Sequence, residues 1–408
     1  MSDPAPLPPA RFLDRATPPH ILTLVLVAGL PALSLNIFLP SLPSMARHFG
    51  VDYGLMQLAV SLYLAMTALI QLFIGPVSDR FGRRPVLLAA IAVFCAATLG
   101  AVLAPNFGLF LACRLLQAAI ASGFALARAV VRDMVPQDQA ASMIGYVTMG
   151  MSLVPMVGPV IGGALDQAFG WQATFALLGI CGLGLFALVW TDQGETARLR
   201  AASFREQVRA WPGLLRSRRF WGYCLASAFA SGAFFAFLGG APFVGTAVFG
   251  MDAARLGFWF GAPAAGYLAG NFLAGRYSVR FGVNRMVLAG ALVATAGLGL
   301  LLALDLLGAA PAPVFFGLMV SVGLGNGILL PNANAGMLSV RPALAGSAAG
   351  LGGAITIGGG AALAALASAV LTGDAGARPL IALMLATSAA SILCVLWVMR
   401  RARAIGLR

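Results

Sequence analysis

The sequence predicts an all-α polytopic membrane protein, with twelve transmembrane helices in two six-helix pseudo-symmetric halves. Three observations lead there. Hydrophobic residues make up 60% of the 408-residue chain and charged residues only 10%, too little charge to cover a soluble globule of this size. The apolar residues gather into roughly twelve runs, each long enough to cross a bilayer as a helix. A short charged loop recurs 200 residues further along, as expected of a membrane protein built from two parallel repeats.

The elements follow in order. Residues 1–19 are rich in proline and polar groups and read as a flexible tail. The run over 21–39 can span and lacks a small-residue cleavage site, so it is a retained helix rather than a signal peptide. Further spans are expected at 55–77, 85–104, 107–131, 140–165 and 171–191. They complete a first bundle over 20–191. Residues 192–219 are dense in arginine with no long apolar stretch. They read as a connector, partly an amphipathic helix on the membrane surface. A second bundle over 220–399 takes spans at 220–249, 253–277, 286–304, 314–340, 344–371 and 379–399. Residues 400–408 form a basic tail.

The charges test this count. All 26 basic residues are arginine, and the net charge is +13. With alternating sides, every arginine except Arg47, Arg255, Arg378 and the interior Arg114 falls on the face that holds both termini. That bias puts both termini in the cytoplasm. Attraction to anionic lipid explains the arginines better than nucleic acid does, and no nucleic-acid partner is expected. The bilayer itself is the expected partner, with the chain acting as a monomer. Cys95, Cys113, Cys181, Cys224 and Cys394 lie in apolar runs without metal spacing. They read as packing residues, and neither a metal nor a cofactor is expected.

The repeated loop is Gly75-Pro76-Val77-Ser78-Asp79-Arg80-Phe81-Gly82-Arg83-Arg84, between the second and third spans. Its carboxylate and arginines can form a fixed ion-pair cluster at the ends of two helices, and its glycines allow close helix approach. The second copy, Gly275-Arg276-Tyr277-Ser278-Val279-Arg280-Phe281-Gly282, keeps the pattern but replaces Asp79 by Val279. The first loop therefore carries an electrostatic task that the second has lost, or both are simply basic membrane-surface loops.

These residues resemble the loop between the second and third helices of the major facilitator superfamily. Arg114-Leu115-Leu116-Gln117 resembles that superfamily's fourth-helix arginine motif. Gly158-Pro159-Val160-Ile161-Gly162-Gly163 resembles its antiporter motif. Asn36-Ile37-Phe38-Leu39-Pro40-Ser41-Leu42-Pro43 and Arg128-Ala129-Val130-Val131-Arg132-Asp133 resemble the Bcr/CflA drug-resistance branch, although Asn36 stands where that branch commonly carries aspartate. The resemblance covers nearly the whole chain. It implies the major facilitator fold and a bacterial inner-membrane exporter of small amphipathic drugs or metabolites. Such an exporter works by alternating access, in proton-coupled antiport.

Candidate site residues fall into three groups. Arg114 lies well inside its span, where an idle charge costs about 2.5–3.5 kcal/mol on insertion scales, and Gln117 shares its face. The pair lines a wet central cavity, or Arg114 hydrogen-bonds neighbouring carbonyls and holds the bundle. The cost of buried charge favours the cavity. Asn36, Tyr63 and Asn332 join it as polar or amphipathic side chains in hydrocarbon. The resemblance assigns Gly75, Asp79, Arg80, Gly82, Arg83, Arg84, Arg128 and Asp133 to a cytoplasmic gate. In it Asp79 faces the start of the eleventh helix near 344–346. Gly158, Pro159, Gly162 and Gly163 form a small-residue helix face, either ordinary packing or a leak-tight seal.

The function classes narrow accordingly. The chain has no lysine and no Gly-x-x-x-x-Gly-Lys-Ser/Thr loop, which disfavours an ATP-driven pump. No acid–base or metal cluster lies within the spans, which disfavours a membrane enzyme. A small-molecule exporter is the leading reading, with protons as coupling ion. A specific carrier of an amino acid or organic anion is the alternative. No mid-span carboxylate offers itself as proton carrier, so the coupling route stays open.

Overall fold

The computed structural model describes residues 10–135, 154–197, 212–341, 345–370 and 376–404, together with 143, 147 and 151. Twelve long helical runs appear among the described residues. In the first half these are α1 (Ile21–Phe49), α2 (Tyr53–Phe81), α3 (Arg83–Val102), α4 (Phe107–Met134), α5 (Val154–Phe169) and α6 (Gln172–Asp192). In the second they are α7 (Arg218–Val248), α8 (Ala253–Phe281), α9 (Val283–Leu306), α10 (Ala312–Leu338), α11 (Ala345–Val370) and α12 (Arg378–Ala404). Ten runs contain a stretch long and apolar enough to span. The other two are α5, described over 16 residues, and α8, whose glycines and arginines dilute its hydropathy.

Twelve passes put His20, Gly82 and Asp192 at one end, called here the terminal end. The loops after Phe49 and Phe249 lie at the far end. Repeated backbone devices set these turns. Gly50 and Gly250 end their helices at φ 62° and 61°, and Gly82 and Gly282 sit at φ 97° and 82°. That left-handed region is open to glycine and strained for other residues. The repeat thus extends to Phe49-Gly50-x-Asp52 and Phe249-Gly250-x-Asp252. Each phenylalanine packs in a far-end aromatic cluster of its own half. Phe49 meets Phe110 and Trp171, and Phe249 meets Phe315 and Phe316.

Three sequence boundaries shift. Residues 10–19 of the expected flexible tail are folded onto the first bundle. The buried Asp192 carboxylate accepts the N–H groups of Leu13 (2.6 Å) and His20 (2.9 Å) and the Thr23 hydroxyl (2.6 Å). Gly194 N–H reaches the Thr17 carbonyl at 3.0 Å. Asp192 thereby satisfies donors at the start of α1 that the helix cannot satisfy itself. Residues 192–197, read as connector, belong with the first bundle for the same reason. Finally, α12 continues to Ala404, into the expected basic tail, and α7 begins at Arg218. Residues 1–9, 198–211 and 405–408 lie outside the described residues.

Candidate transport site

Arg114 is fully buried on α4. Its Nε donates to the Ala59 carbonyl at 3.3 Å. Nη1 donates to Ser34 Oγ at 3.0 Å and Gln117 Oε1 at 2.8 Å, and Nη2 to the Ser34 carbonyl at 2.7 Å. The guanidinium lies 4.3 Å from the Phe38 ring centroid and 4.0 Å from that of Tyr63. Gln117 Nε2 continues the network to Thr98 Oγ1 at 2.7 Å. The charge is therefore met by neutral acceptors and two aromatic faces. The network joins α1, α2, α3 and α4. Arg114 and Gln117 thus stand in packed interior rather than on an open cavity wall. The helix neighbours offer enough carbonyls and hydroxyls to occupy the donors.

Asn36 and Tyr63 are buried in the same half, and Tyr63 is part of the cage. Asn36 Nδ2 bonds the Ala32 carbonyl at 2.7 Å, while its Oδ1 and Thr67 Oγ1 meet no protein partner among the described residues. Such orphaned polar atoms are handles for water or a ligand. Asn332 belongs to the other half, where its amide bonds the Ile328 carbonyl of its own helix at 2.9 Å. The structure does not bring it to the Arg114 network.

At the terminal end, Arg83 is the centre of a charge cluster. Its guanidinium lies 2.5 Å from Asp79 and 3.1 Å from Asp133, and donates to Ser78 Oγ at 2.5 Å. Side-chain exposures of 9% for Arg83 and 19% for each acid leave the pairs partly screened from water, so they are stronger than surface pairs. The cluster lies wholly within the first half. Glu195, missed in the sequence, completes it. Its carboxylate accepts the N–H groups of Arg83 (2.8 Å) and Arg84 (3.2 Å), capping α3 from beyond α6. The same carboxylate holds its own turn through the N–H groups of Thr196 and Ala197.

The other gate residues divide. Arg84 stacks over Trp190 at 5.2 Å and donates to its carbonyl at 2.9 Å. Gly75 offers its carbonyl to Ser78 Oγ at 2.8 Å, and Gly82 forms the turn. Arg80 and Arg128 stand outside the cluster. Arg80 lies over Phe81, and Arg128 bonds the Phe124 carbonyl one turn back. The expected partner of Asp79 near 344–346 begins outside the described residues, and no side chain is described there.

At the far end the two halves meet. Tyr53 Oη donates to the Gly239 carbonyl at 2.8 Å, and its ring packs 5.4 Å from Phe243. The small-residue face of α5 works in two directions. Gly158 and Gly162 pack on Leu33 and Ile37 of α1. Gly163 faces the Ala253 carbonyl, and the Pro159 carbonyl faces Gly257, both on α8. A Cβ at Gly162 or Gly163 would fall on a neighbouring carbonyl oxygen, so these contacts are backbone-close. The motif thus lies wedged between the first half's α1 and the second half's α8.

Comparison with known proteins gives these features a family. The sequence profile of the Major Facilitator Superfamily matches residues 24–356. Multidrug resistance protein D of Escherichia coli is 30% identical over 89% of this chain and 92% of its own. A bicyclomycin resistance protein homolog of Haemophilus influenzae is 29% identical, covering 86% and 89% respectively. The MFS-type transporter YdgK of Bacillus subtilis is 33% identical over 62% of this chain, a match that spans only 64% of that relative. A bacterial homolog of the human lysosomal transporter Spinster, in an inward-facing and occupied conformation, superposes with a TM-score of 0.70 at 16% identity. The overlap covers 94% of this chain and 96% of that one. The chain is a multi-pass membrane transporter and not an enzyme: it belongs to the Major Facilitator Superfamily, in its Bcr/CflA-type branch.

Proposed function

We propose that the protein exports small amphipathic drugs or metabolites across a bacterial inner membrane by alternating access, in antiport with protons. The carrying observation is the unlike construction of the two ends. The far end is shut by backbone-close contacts between halves, including Tyr53 to Gly239. The terminal end holds its charges inside one half, around Arg83. Two rigid bundles that seal the far end by packing can rock about a shared pocket, and closing the terminal end would bring the first half's charge cluster against the second half. The arginine bias supports cytoplasmic termini, which makes the far end external and the charge cluster an inner latch. The resistance proteins among its relatives support a drug-like substrate class. Asn36 and Thr67, with unbonded oxygens, supply polar contact for it.

A second reading is a specific carrier of an organic anion or amino acid. It is favoured by the Arg114 charge, which no carboxylate neutralises among the described residues. Expression in an efflux-deficient host, with a panel of antibiotics, separates the two. Broad loss of susceptibility is expected; an effect confined to one metabolite would favour the second reading. Uptake into inverted vesicles should rise with an imposed pH gradient and collapse when it is dissipated. Indifference to the gradient would remove proton coupling. A cysteine placed at Ser203, outside the described residues, should resist labelling from outside the cell. Labelling there would reverse the topology.

A further inference from the structure

The terminal end of the second half carries positive charge that its own sequence does not neutralise. Beyond residue 220 the acids are Asp252, Asp305 and Asp374. Asp252 caps α8 at the far end, and Asp305 pairs there with Arg378 at 2.8 Å; Asp374 lies outside the described residues. In the first half, Arg80, Arg83 and Arg84 flank the turn at Gly82 together with Asp79, and Asp133 of α4 and Glu195 beyond α6 pack onto Arg83 and Arg84. Around the matching turn of the second half, at Gly282, stand Arg276 and Arg280 on α8 and Arg285 on α9, and none of them forms an ion pair among the described residues.

Beside these arginines lies an open groove of about 350 Å³ between α8, α9 and α10. Leu273, Tyr277 and Phe281 form one helical stripe along it, opposite Met286 and Ile328. Its exposed lining is wholly apolar, so Arg285 lines it with its aliphatic stem while the guanidinium reaches beyond. An apolar trough with a guanidinium at its mouth, at the membrane end of a helix bundle, matches one ligand chemistry.

We propose that this groove binds an anionic phospholipid. An acyl chain lies along Tyr277 and Phe281, and the phosphate is held by Arg285 within the field of Arg276 and Arg280. A guanidinium fork suits phosphate oxygens. The change from Asp79 to Val279 fits as well, since a carboxylate in this loop would cancel the charge and repel the headgroup.

Native mass spectrometry of the full chain in neutral detergent tests this, with phosphatidylglycerol and phosphatidylcholine of identical acyl chains. The chain should retain phosphatidylglycerol preferentially. Arg285→Gln should weaken that retention about five-fold, the effect of one interfacial charge, and Arg285→Lys should restore most of it. Ala289→Phe fills the groove without changing charge and should weaken both lipids. Arg401→Gln, at the same end but away from the groove, should change neither. Inorganic phosphate should displace nothing. Equal retention of the two lipids, parental retention in a folded Arg285→Gln, or displacement by phosphate would each overturn the proposal.

Discussion

The Glu195 carboxylate accepts the backbone N–H of Arg83 at 2.8 Å, so the segment that leaves the sixth helix caps the third. The same arginine's side chain bridges Asp79 and Asp133. One residue is thus held by its backbone and by its charge, from two different parts of the chain. Movement of the 192–197 segment would disturb the helix start on which the charge cluster stands.

Glu195→Ala removes the acceptor for both capped N–H groups. Loss of about 1 kcal/mol is expected, as for other capping groups. Glu195→Gln, which keeps an acceptor but not the charge, should fall between. Thermal unfolding in detergent measures this, and an unchanged midpoint in both variants would deny the cap a role.

Asp79→Asn keeps the shape of the cluster but removes a charge from the Arg83 contact. One lost charge-assisted interaction of about 1.5 kcal/mol corresponds to roughly ten-fold. Transport should drop by that order while membrane abundance holds near the parental level. Equal losses of both would make the cluster a static clamp rather than a latch.

Gly163→Val places a side chain against the Ala253 carbonyl. The far end should then fail to close. Spin labels at the exposed positions Arg47 and Arg255, one in each half, should show a longer and broader distance distribution than in the parent, with transport strongly reduced. An unchanged distribution would show that the α5–α8 contact accommodates the side chain and does not set closure of the far end.

Arg114→Lys distinguishes the two readings of the buried arginine. Lysine keeps the charge but lacks the planar fork that serves Ala59, Ser34 and Gln117 together. The bonds lost in the interior should lower stability by about 2–3 kcal/mol. Loss of unfolding temperature and of transport together is expected. A stable variant defective only in transport would return Arg114 to the substrate pathway.

The sequence by itself determined the membrane class, the two-half plan and the glycine turn between the second and third spans. These follow from local properties: apolar runs of spanning length, and glycines that take backbone angles other residues resist. The 200-residue offset carried more than the loop motif, because Phe49-Gly50-x-Asp52 returns as Phe249-Gly250-x-Asp252. The grouping of Asp79, Arg83 and Asp133 was also legible, through resemblance to a known motif. The tertiary structure decided which polar groups find each other. Nothing local tells Glu195 that its partners are the Arg83 and Arg84 amides, or Asp192 that it folds residues 10–19 onto the bundle. Whether Arg114 faces water or carbonyls depends on how four helices pack, since its own helix supplies only Gln117. In hydrocarbon a charge takes whatever acceptors the neighbouring helices present, and only their three-dimensional arrangement names them.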